Sequence, residues 1–310
     1  MKIIFMGTPD FAVPTLKALT DAGHDITLVV TQPDKPKGRG KAMQFPPVKQ
    51  CAVDNNIPVF QPLKIKEREN LDKLKEYEAD LIVVVAFGQI LPKELLEYPK
   101  YGCINVHASL LPKYRGAAPI QWAVINGEKK SGVTIMQMDV GLDTGDMISK
   151  VETELSEDET GGSLHDKLSE LGAKLCVSTV EEIENGTAKK TPQNDEESCY
   201  AKMLTKQLGN IDWNTDAAAI ERLIRGLNPW PSAYTFYNGK MLKIWHASVG
   251  ENTDRTPGEV ICSDGSIRVA AKDRELILEE IQLEGKKRMP AEDFLRGYNI
   301  PDGAVFTNER

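Results

Sequence analysis

Long apolar runs are missing from this chain of 310 residues. The longest, Leu81 to Phe87, falls far short of the roughly 20 residues a membrane-spanning helix needs. The opening Met-Lys-Ile-Ile-Phe-Met-Gly is too short an apolar stretch for a secretion signal, so neither export nor a membrane is expected. Cysteine is scarce. Cys51, Cys103, Cys176, Cys199 and Cys262 form no Cys-x-x-Cys pair, which argues against a disulfide framework or a structural zinc and for a reducing, cytoplasmic setting. His24, His107, His165 and His246 stand alone, with no pair at ligand spacing, so no metal is expected. Positive charge is in deficit: 38 Lys and Arg against 46 Asp and Glu give −8, which repels a phosphate backbone. A nucleic-acid partner would have to meet a local patch. After the first strand-like run stands Gly7-Thr8-Pro9 rather than G-x-G-x-x-G, which weakens a dinucleotide reading. No G-x-S-x-G surrounds Ser109, so a serine nucleophile lacks support there.

What is present suits a folded enzyme. With 41% apolar and 27% charged residues the composition is far from that of a disordered or fibrous chain. From residue 1 to about 185, β-branched runs at 2–6, 25–31, 80–86, 102–106 and 132–137 alternate with helix-like segments, the pattern of a mainly parallel, Rossmann-like α/β sheet. Phe11, Leu16 and Leu19 predict a first crossover helix. Leu164, Leu168, Leu171, Leu175 and Val180 predict a longer one that stops before Asn185-Gly186. Periodicity then fails, so the division expected is a catalytic domain over 1–188, a linker over 189–207 and a second domain over 208–310. That second domain opens on a helix near 216–226 and continues with turn signals at Asn238-Gly239 and Asp264-Gly265. Four or five antiparallel strands in about 100 residues suggest a small barrel of the oligonucleotide-binding type.

Two stretches concentrate chemistry. Asn105 and His107, two apart on a strand, emerge on one face, where an amide and an imidazole can donate to a developing oxyanion and exchange a proton near neutral pH. The same residues also fit a satisfied strand-end histidine beside a turn asparagine. The loop Met138 to Asp146 holds Asp139, Asp143 and Asp146 with two glycines, which either serves a tight turn or places a carboxylate beside His107. A third stretch, residues 32–47, has four prolines and two glycines in sixteen positions and reads as neither helix nor strand. Between Asp34 and Lys49 it carries Lys35, Lys37, Arg39, Lys41 and Lys49 against one acidic residue, a local net of +4. Lys286-Lys287-Arg288 is a second basic run, and such runs are commonly solvated faces.

Asn105, His107, the run SLLPKYRGAAPIQ (Ser109 to Gln121) and the DVGLDTGD loop together resemble the signature of the formyltransferases that use 10-formyltetrahydrofolate. FMGTPDFAVPTLKAL, QPDKPKGRGK and NPWPSA extend the likeness over nearly the whole chain. The resemblance implies catalysis by Asn105, His107 and Asp143. It implies folate contact by Ser109, Leu110, Leu111 and Pro112 and by the loop Phe87, Gly88, Gln89, Ile90 and Leu91. The formyl donor would be 10-formyltetrahydrofolate and the acceptor initiator methionyl-tRNA. The loop with Lys35, Lys37, Arg39 and Lys41 would reach the acceptor stem, and the C-terminal barrel would support tRNA binding. A monomer without a metal is expected. Three alternatives stay open: formylation of glycinamide ribonucleotide or an amino sugar nucleotide, hydrolysis of formyltetrahydrofolate, and a nonenzymatic RNA-binding module.

Overall fold

The computed structural model describes residues 1–37, 42–263 and 265–309. The chain forms two bodies. One comprises Met1–Pro119, Ser131–Thr153 and His165–Ala201; the other comprises Ile120–Lys130, Glu154–Leu164 and the chain from Lys202.

In chain order, β1 (Lys2–Gly7), α1 (Val13–Asp21) and β2 (Asp25–Val30) make the first crossover, followed by a hairpin of β3 (Lys35–Lys37) and β4 (Ala42–Gln44). Next come α2 (Pro47–Asp54), β5 (Val59–Phe60), α3 (Arg68–Leu74), β6 (Leu81–Val85), α4 (Lys93–Leu96), β7 (Cys103–His107) and β8 (Arg115–Gly116). After α5 (Pro119–Ile125), β9 (Lys130–Gln137) and β10 (Met147–Glu154) lead to α6 (Gly161–Glu184), and β11 (Tyr200–Ala201) pairs with β8. Proline in its first turn and Gly23 at φ +82° just beyond its end delimit α1. Gly186 at φ +71° likewise follows α6.

The first body's sheet has the order β10-β9-β7-β6-β1-β2-β5. Its β1, β2, β5, β6 and β7 are parallel, and β9 runs antiparallel to β7. All five residues of β6 are buried, as a strand covered on both faces requires, and each such side chain contributes about 1.5–3 kcal/mol. The chain builds outward from β1 through β2 to β5 and then returns to β6 on β1's other side. Strand order therefore reverses at β1 and β6, and a crevice opens beyond their carboxyl ends. There Thr8 Oγ1 and Gln32 Nε2 both donate to the Phe87 carbonyl, at 3.3 and 3.0 Å.

In the second body, α7 (Ala217–Gly226) precedes β12 (Ala233–Tyr237), β13 (Lys240–Asn252), β14 (Val260–Ser263), β15 (Ser266–Ala270), β16 (Arg274–Leu283), β17 (Met289–Pro290) and α8 (Ala291–Gly297). The sheet is antiparallel, ordered β12-β13-β16-β15-β14, with β17 on β16. Asn238 and Gly239, at φ +48° and +71°, form the turn of the first hairpin. Thr307 bridges Phe236 on β12 and Val305 bridges Glu259 beside β14, so the C-terminal segment joins both edge strands, an arrangement compatible with a barrel. Trp213, Leu242, Ile244, Leu278, Ile281 and Phe306 belong to its core. Gly226 admits the close approach of α5: a Cβ there would lie 2.5 Å from Ile125 Cγ1.

Two expectations need correction. The proline-rich stretch is not devoid of strand: Lys35 pairs with Gln44, Pro36 with Met43 and Lys37 with Ala42, a two-stranded ribbon whose free edges tolerate a proline without an N–H. Arg39 and Lys41, between the two strands in sequence, lie outside the described residues. Residues 189–201 are not a bare linker. Thr191 exchanges 2.8 Å backbone hydrogen bonds with Met147, and Tyr200–Ala201 adds a strand to β8, so local partners replace the missing periodicity. Among the described residues no helix is long and apolar enough to cross a membrane.

Candidate active site

The end of β7 delivers Asn105 and His107 to the sheet's carboxyl edge on one side of the strand. His107 is 5% exposed. Its Nε2 lies 2.9 Å from the Tyr114 carbonyl oxygen, and its Nδ1 lies 3.7 Å from Asp143 Oδ2. Because a carbonyl can only accept, Nε2 carries hydrogen, and Nδ1 faces the carboxylate as the exchangeable nitrogen. Tyr114 reaches this position at φ +60°, in a turn where Ser109 Oγ donates to the Lys113 carbonyl at 2.7 Å. Ser109 therefore serves the turn rather than attacking a substrate. Thr134 on β9 ties the same turn down, donating to the Ser109 carbonyl at 2.7 Å and accepting from Leu111 N–H at 3.1 Å.

Asp143 sits at φ +54° in the acidic loop, and its Oδ2 accepts the Gly116 N–H at 2.8 Å. Asp139, in contrast, is committed to the turn: its carboxylate accepts from Gly141 N–H at 2.9 Å and from Thr144 Oγ1 at 2.8 Å. The structure thus brings Asn105, His107 and Asp143 to one edge and separates the carboxylate that faces the imidazole from the one that shapes the loop. Asn105 is half-buried, and its amide has no partner among the described residues. A free amide, an imidazole and a carboxylate at one strand end can bind a developing oxyanion and move a proton.

The residues read as folate contacts divide by burial. Phe87 and Leu91 are core side chains, and Ser109 and Leu111 are buried as well. Gly88 and Ile90 are exposed, while Leu110 and Pro112 are half-buried. Gln89 ties its loop to the segment before α3, accepting from Ile65 N–H at 2.7 Å and donating to the Pro62 carbonyl at 3.2 Å. Ile90 is 83% exposed, and Val140 and Leu142 of the acidic loop are 73% and 54% exposed. Single exposed apolar side chains are ordinary, and only a contiguous group of them is the feature of a surface that a ligand covers.

At the base of the 32–47 hairpin, Lys49 binds Asp34 at 2.6 Å and Gln61 at 2.8 Å. The Lys49 ammonium and the Gln61 amide hold the Asp34 carboxyl below its usual range. Lys49 is thus neutralised in place, leaving Lys35, Lys37, Arg39 and Lys41 as the net +4. In the second body Arg288 lies over the Trp245 ring, 4.6 Å from its centroid, and pairs with Glu280. Sequence reasoning missed the Tyr114 carbonyl, the Gly116 amide, Thr134 and Gln193, whose Nε2 donates to the Asp143 and Gly145 carbonyls at 2.8 Å. Backbone groups leave no residue-type signal, and the two side chains sit where no motif drew attention. Among the described residues no group of three or more His, Cys, Asp or Glu could hold a metal ion.

Residues 1–180 match the Formyl transferase family and residues 203–299 match the Formyl transferase, C-terminal domain, family. The chain belongs to the formyl transferases. A methionyl-tRNA formyltransferase of Agathobacter rectalis is 60% identical over 309 residues, covering 99% of this chain and 100% of the relative. One from Clostridioides difficile is 54% identical over 307 residues, covering 98% and 99%. Among solved structures, an N-formyltransferase from Helicobacter canadensis, in complex with folinic acid and dTDP-3-aminofucose, shares the fold at a TM-score of 0.69. It is 20% identical, with coverage of 90% of this chain and 98% of that one. HypX from Aquifex aeolicus in complex with tetrahydrofolic acid gives 0.65 at 18% identity, covering 98% of this chain and 50% of that one. The C-terminal match, residues 203–299, lies within the second body, which also takes Ile120–Lys130 and Glu154–Leu164 from the first match. The matched segments leave residues 181–202 between them, where the chain passes from one body to the other.

Proposed function

We infer that the chain transfers the formyl group of 10-formyltetrahydrofolate to the amino group of methionine on initiator methionyl-tRNA, giving N-formylmethionyl-tRNA for translation initiation. Full-length likeness to methionyl-tRNA formyltransferases at 54–60% identity carries the reading, and the cluster at the end of β7 supplies a chemical means. The neutral methionyl amine attacks the formyl carbon, forming a C–N bond and placing negative charge on the formyl oxygen. Asn105 Nδ2 and His107 Nδ1–H are the donors for that oxyanion. Collapse of the adduct breaks the bond from carbon to N10. The amine proton leaves toward Asp143, directly or through water, and N10 gains a proton from the same relay, so tetrahydrofolate departs neutral at that nitrogen. No covalent intermediate with the protein is needed, and holding the two substrates in reacting geometry contributes to the rate.

The exposed Ile90, Val140 and Leu142 support the placing of an apolar ring system or the methionine side chain against this edge. The basic hairpin of residues 35–44 supports contact with the acceptor stem, which a chain of net charge −8 must make through a local patch. The test is formyl transfer from 10-formyltetrahydrofolate to methionyl initiator tRNA, run beside glycinamide ribonucleotide and beside water alone. Formylation of the tRNA exclusively is expected. Preferential turnover of either other acceptor would replace this reading.

A further inference from the structure

Residues 191–201 run past both loops that carry the site, and one side chain among them grips both. Gln193 Nε2 donates to the Asp143 carbonyl at 2.8 Å and to the Gly145 carbonyl at 2.8 Å. Its Oε1 accepts Arg115 Nε–H at 2.9 Å. Arg115 stands between Tyr114, whose carbonyl meets His107 Nε2, and Gly116, whose N–H meets Asp143 Oδ2. We propose that Gln193 is a positioning residue for formyl transfer, a brace that fixes the Asp143 carboxylate against His107. The proposal rests on reading His107 and Asp143 as the reacting pair.

The chemistry of the carboxamide is what the position demands. Two carbonyl oxygens on one side require N–H donors, and a guanidinium on the other requires an acceptor. Glutamate would meet the carbonyls with a lone pair, and asparagine is one methylene too short to span both loops. The braced backbone also needs support. Asp143 at φ +54° occupies a region that side-chain-bearing residues hold only when neighbours over-determine it, and a hydrogen bond to its own carbonyl is such a constraint. The segment that carries Gln193 is anchored without it. Thr191 and Met147 exchange backbone bonds, Cys199 O accepts Arg115 N–H at 2.9 Å, and Ala201 O accepts Ala117 N–H at 2.9 Å. Truncating the side chain therefore leaves the segment in place and removes the two hydrogen bonds that brace the acidic loop at Asp143 and Gly145.

The experiment compares Gln193→Ala, Gln193→Glu, Asp143→Asn and the double variants in the full-length protein, with thermal unfolding recorded for each. Both Gln193 variants should lower kcat on the order of 10- to 100-fold while KM for the formyl donor moves less than about threefold, the split expected when geometry at the reacting atoms is disturbed and ground-state binding is kept. Combined with Asp143→Asn, they should lower kcat no further than Asp143→Asn alone, because two residues acting through one carboxylate are not additive. Unchanged kcat, full multiplication of the two effects, or failure of both Gln193 variants to fold would overturn the proposal. Wild-type activity in Asp143→Asn would instead overturn the reading of the pair, so the two failures are told apart.

Discussion

His107 directs Nε2 to the carbonyl of Tyr114 at 2.9 Å, which leaves Nδ1 turned toward Asp143. The carbonyl fixes the ring's orientation and tautomer, and Asp143 Oδ2 faces Nδ1 at 3.7 Å, just beyond direct hydrogen-bond distance. Removing either group should affect the transition state more than the ground state. His107→Ala and Asp143→Asn are each expected to lower turnover by on the order of 10² or more with folate affinity largely kept, as measured by steady-state kinetics and a direct binding titration. Near-normal turnover in a folded variant would remove that residue from the reacting group.

The loop that presents Asp143 is pressed against β9. A Cβ on Gly145 would lie 1.8 Å from the Gln137 carbonyl oxygen, and that backbone cannot yield without breaking the bond from Gln137 N–H to Asp146 O. Gly145→Ala should therefore push the loop off the sheet, at a cost of roughly 1–3 kcal/mol in stability. Because Asp143 moves with the loop, kcat is expected to fall at least about 10-fold. Unfolding midpoints and kcat together check this, and a variant that keeps both would show that the loop is not clamped where the structure has it.

How much of the fold and the site was legible from the sequence depends on whether a residue acts through its type. The strands at 2–7, 25–30, 81–85 and 103–107 announce themselves because apolar β-branched runs must be buried between layers, and Asn105 and His107 follow from period-two geometry. The glycines after α1 and α6 and in the Asn238-Gly239 turn are equally readable, since only backbone freedom explains them there. The strands β3, β4, β8 and β11 were not legible. They are two or three residues long, contain Pro36 or charged residues, and form because a partner strand is supplied from elsewhere in the chain. The choice of Asp143 over Asp139 came from a resemblance, and the physical reason for it appears only in the hydrogen bonds: Asp139 closes its own turn, and Asp143 faces the imidazole.

The cysteines should react in an order that burial sets. Burial pushes the Cys103 and Cys176 thiols up to about 12, and it also raises Cys51 and, less enclosed, Cys262. Cys199 is exposed, and its Sγ accepts Tyr114 N–H at 3.2 Å. Since the thiolate is the reactive form, brief treatment of the native protein with iodoacetamide at mildly alkaline pH should modify Cys199 first, as peptide mass mapping would show. The adduct displaces the acceptor of Tyr114, whose carbonyl orients His107, so activity should fall several-fold, as expected when one positioning hydrogen bond is removed. Cys199→Ser should be protected from that inactivation. Labelling of Cys103 before Cys199 would contradict this order of burial.

The final prediction concerns how a chain of net charge −8 holds a polyanion. Lys49 and Asp34 neutralise one another at the hairpin base, 2.6 Å apart and mostly buried from solvent, so they hold the ribbon in place and offer no charge to a partner. By sequence the other basic residues of the stretch are Lys35 and Lys37, on a ribbon paired from Lys35–Gln44 to Lys37–Ala42, and Arg39 and Lys41, which lie outside the described residues. Arginine between two glycines can approach a backbone or a base edge closely, with a planar fork of donors that lysine lacks. Arg39→Leu should impair formylation of methionyl initiator tRNA by about 10-fold or more with binding of the formyl donor unchanged. Neutralising the lysines should flatten the salt dependence of tRNA binding by roughly one unit of log–log slope for each phosphate that they no longer neutralise. Asp34→Asn gives the complementary outcome: it frees Lys49 and loosens the base, so tRNA affinity should fall although a negative charge has been removed. If tRNA kinetics and salt slope match the unmodified protein in all these variants, the hairpin is not where RNA binds, and recognition rests on the second body alone.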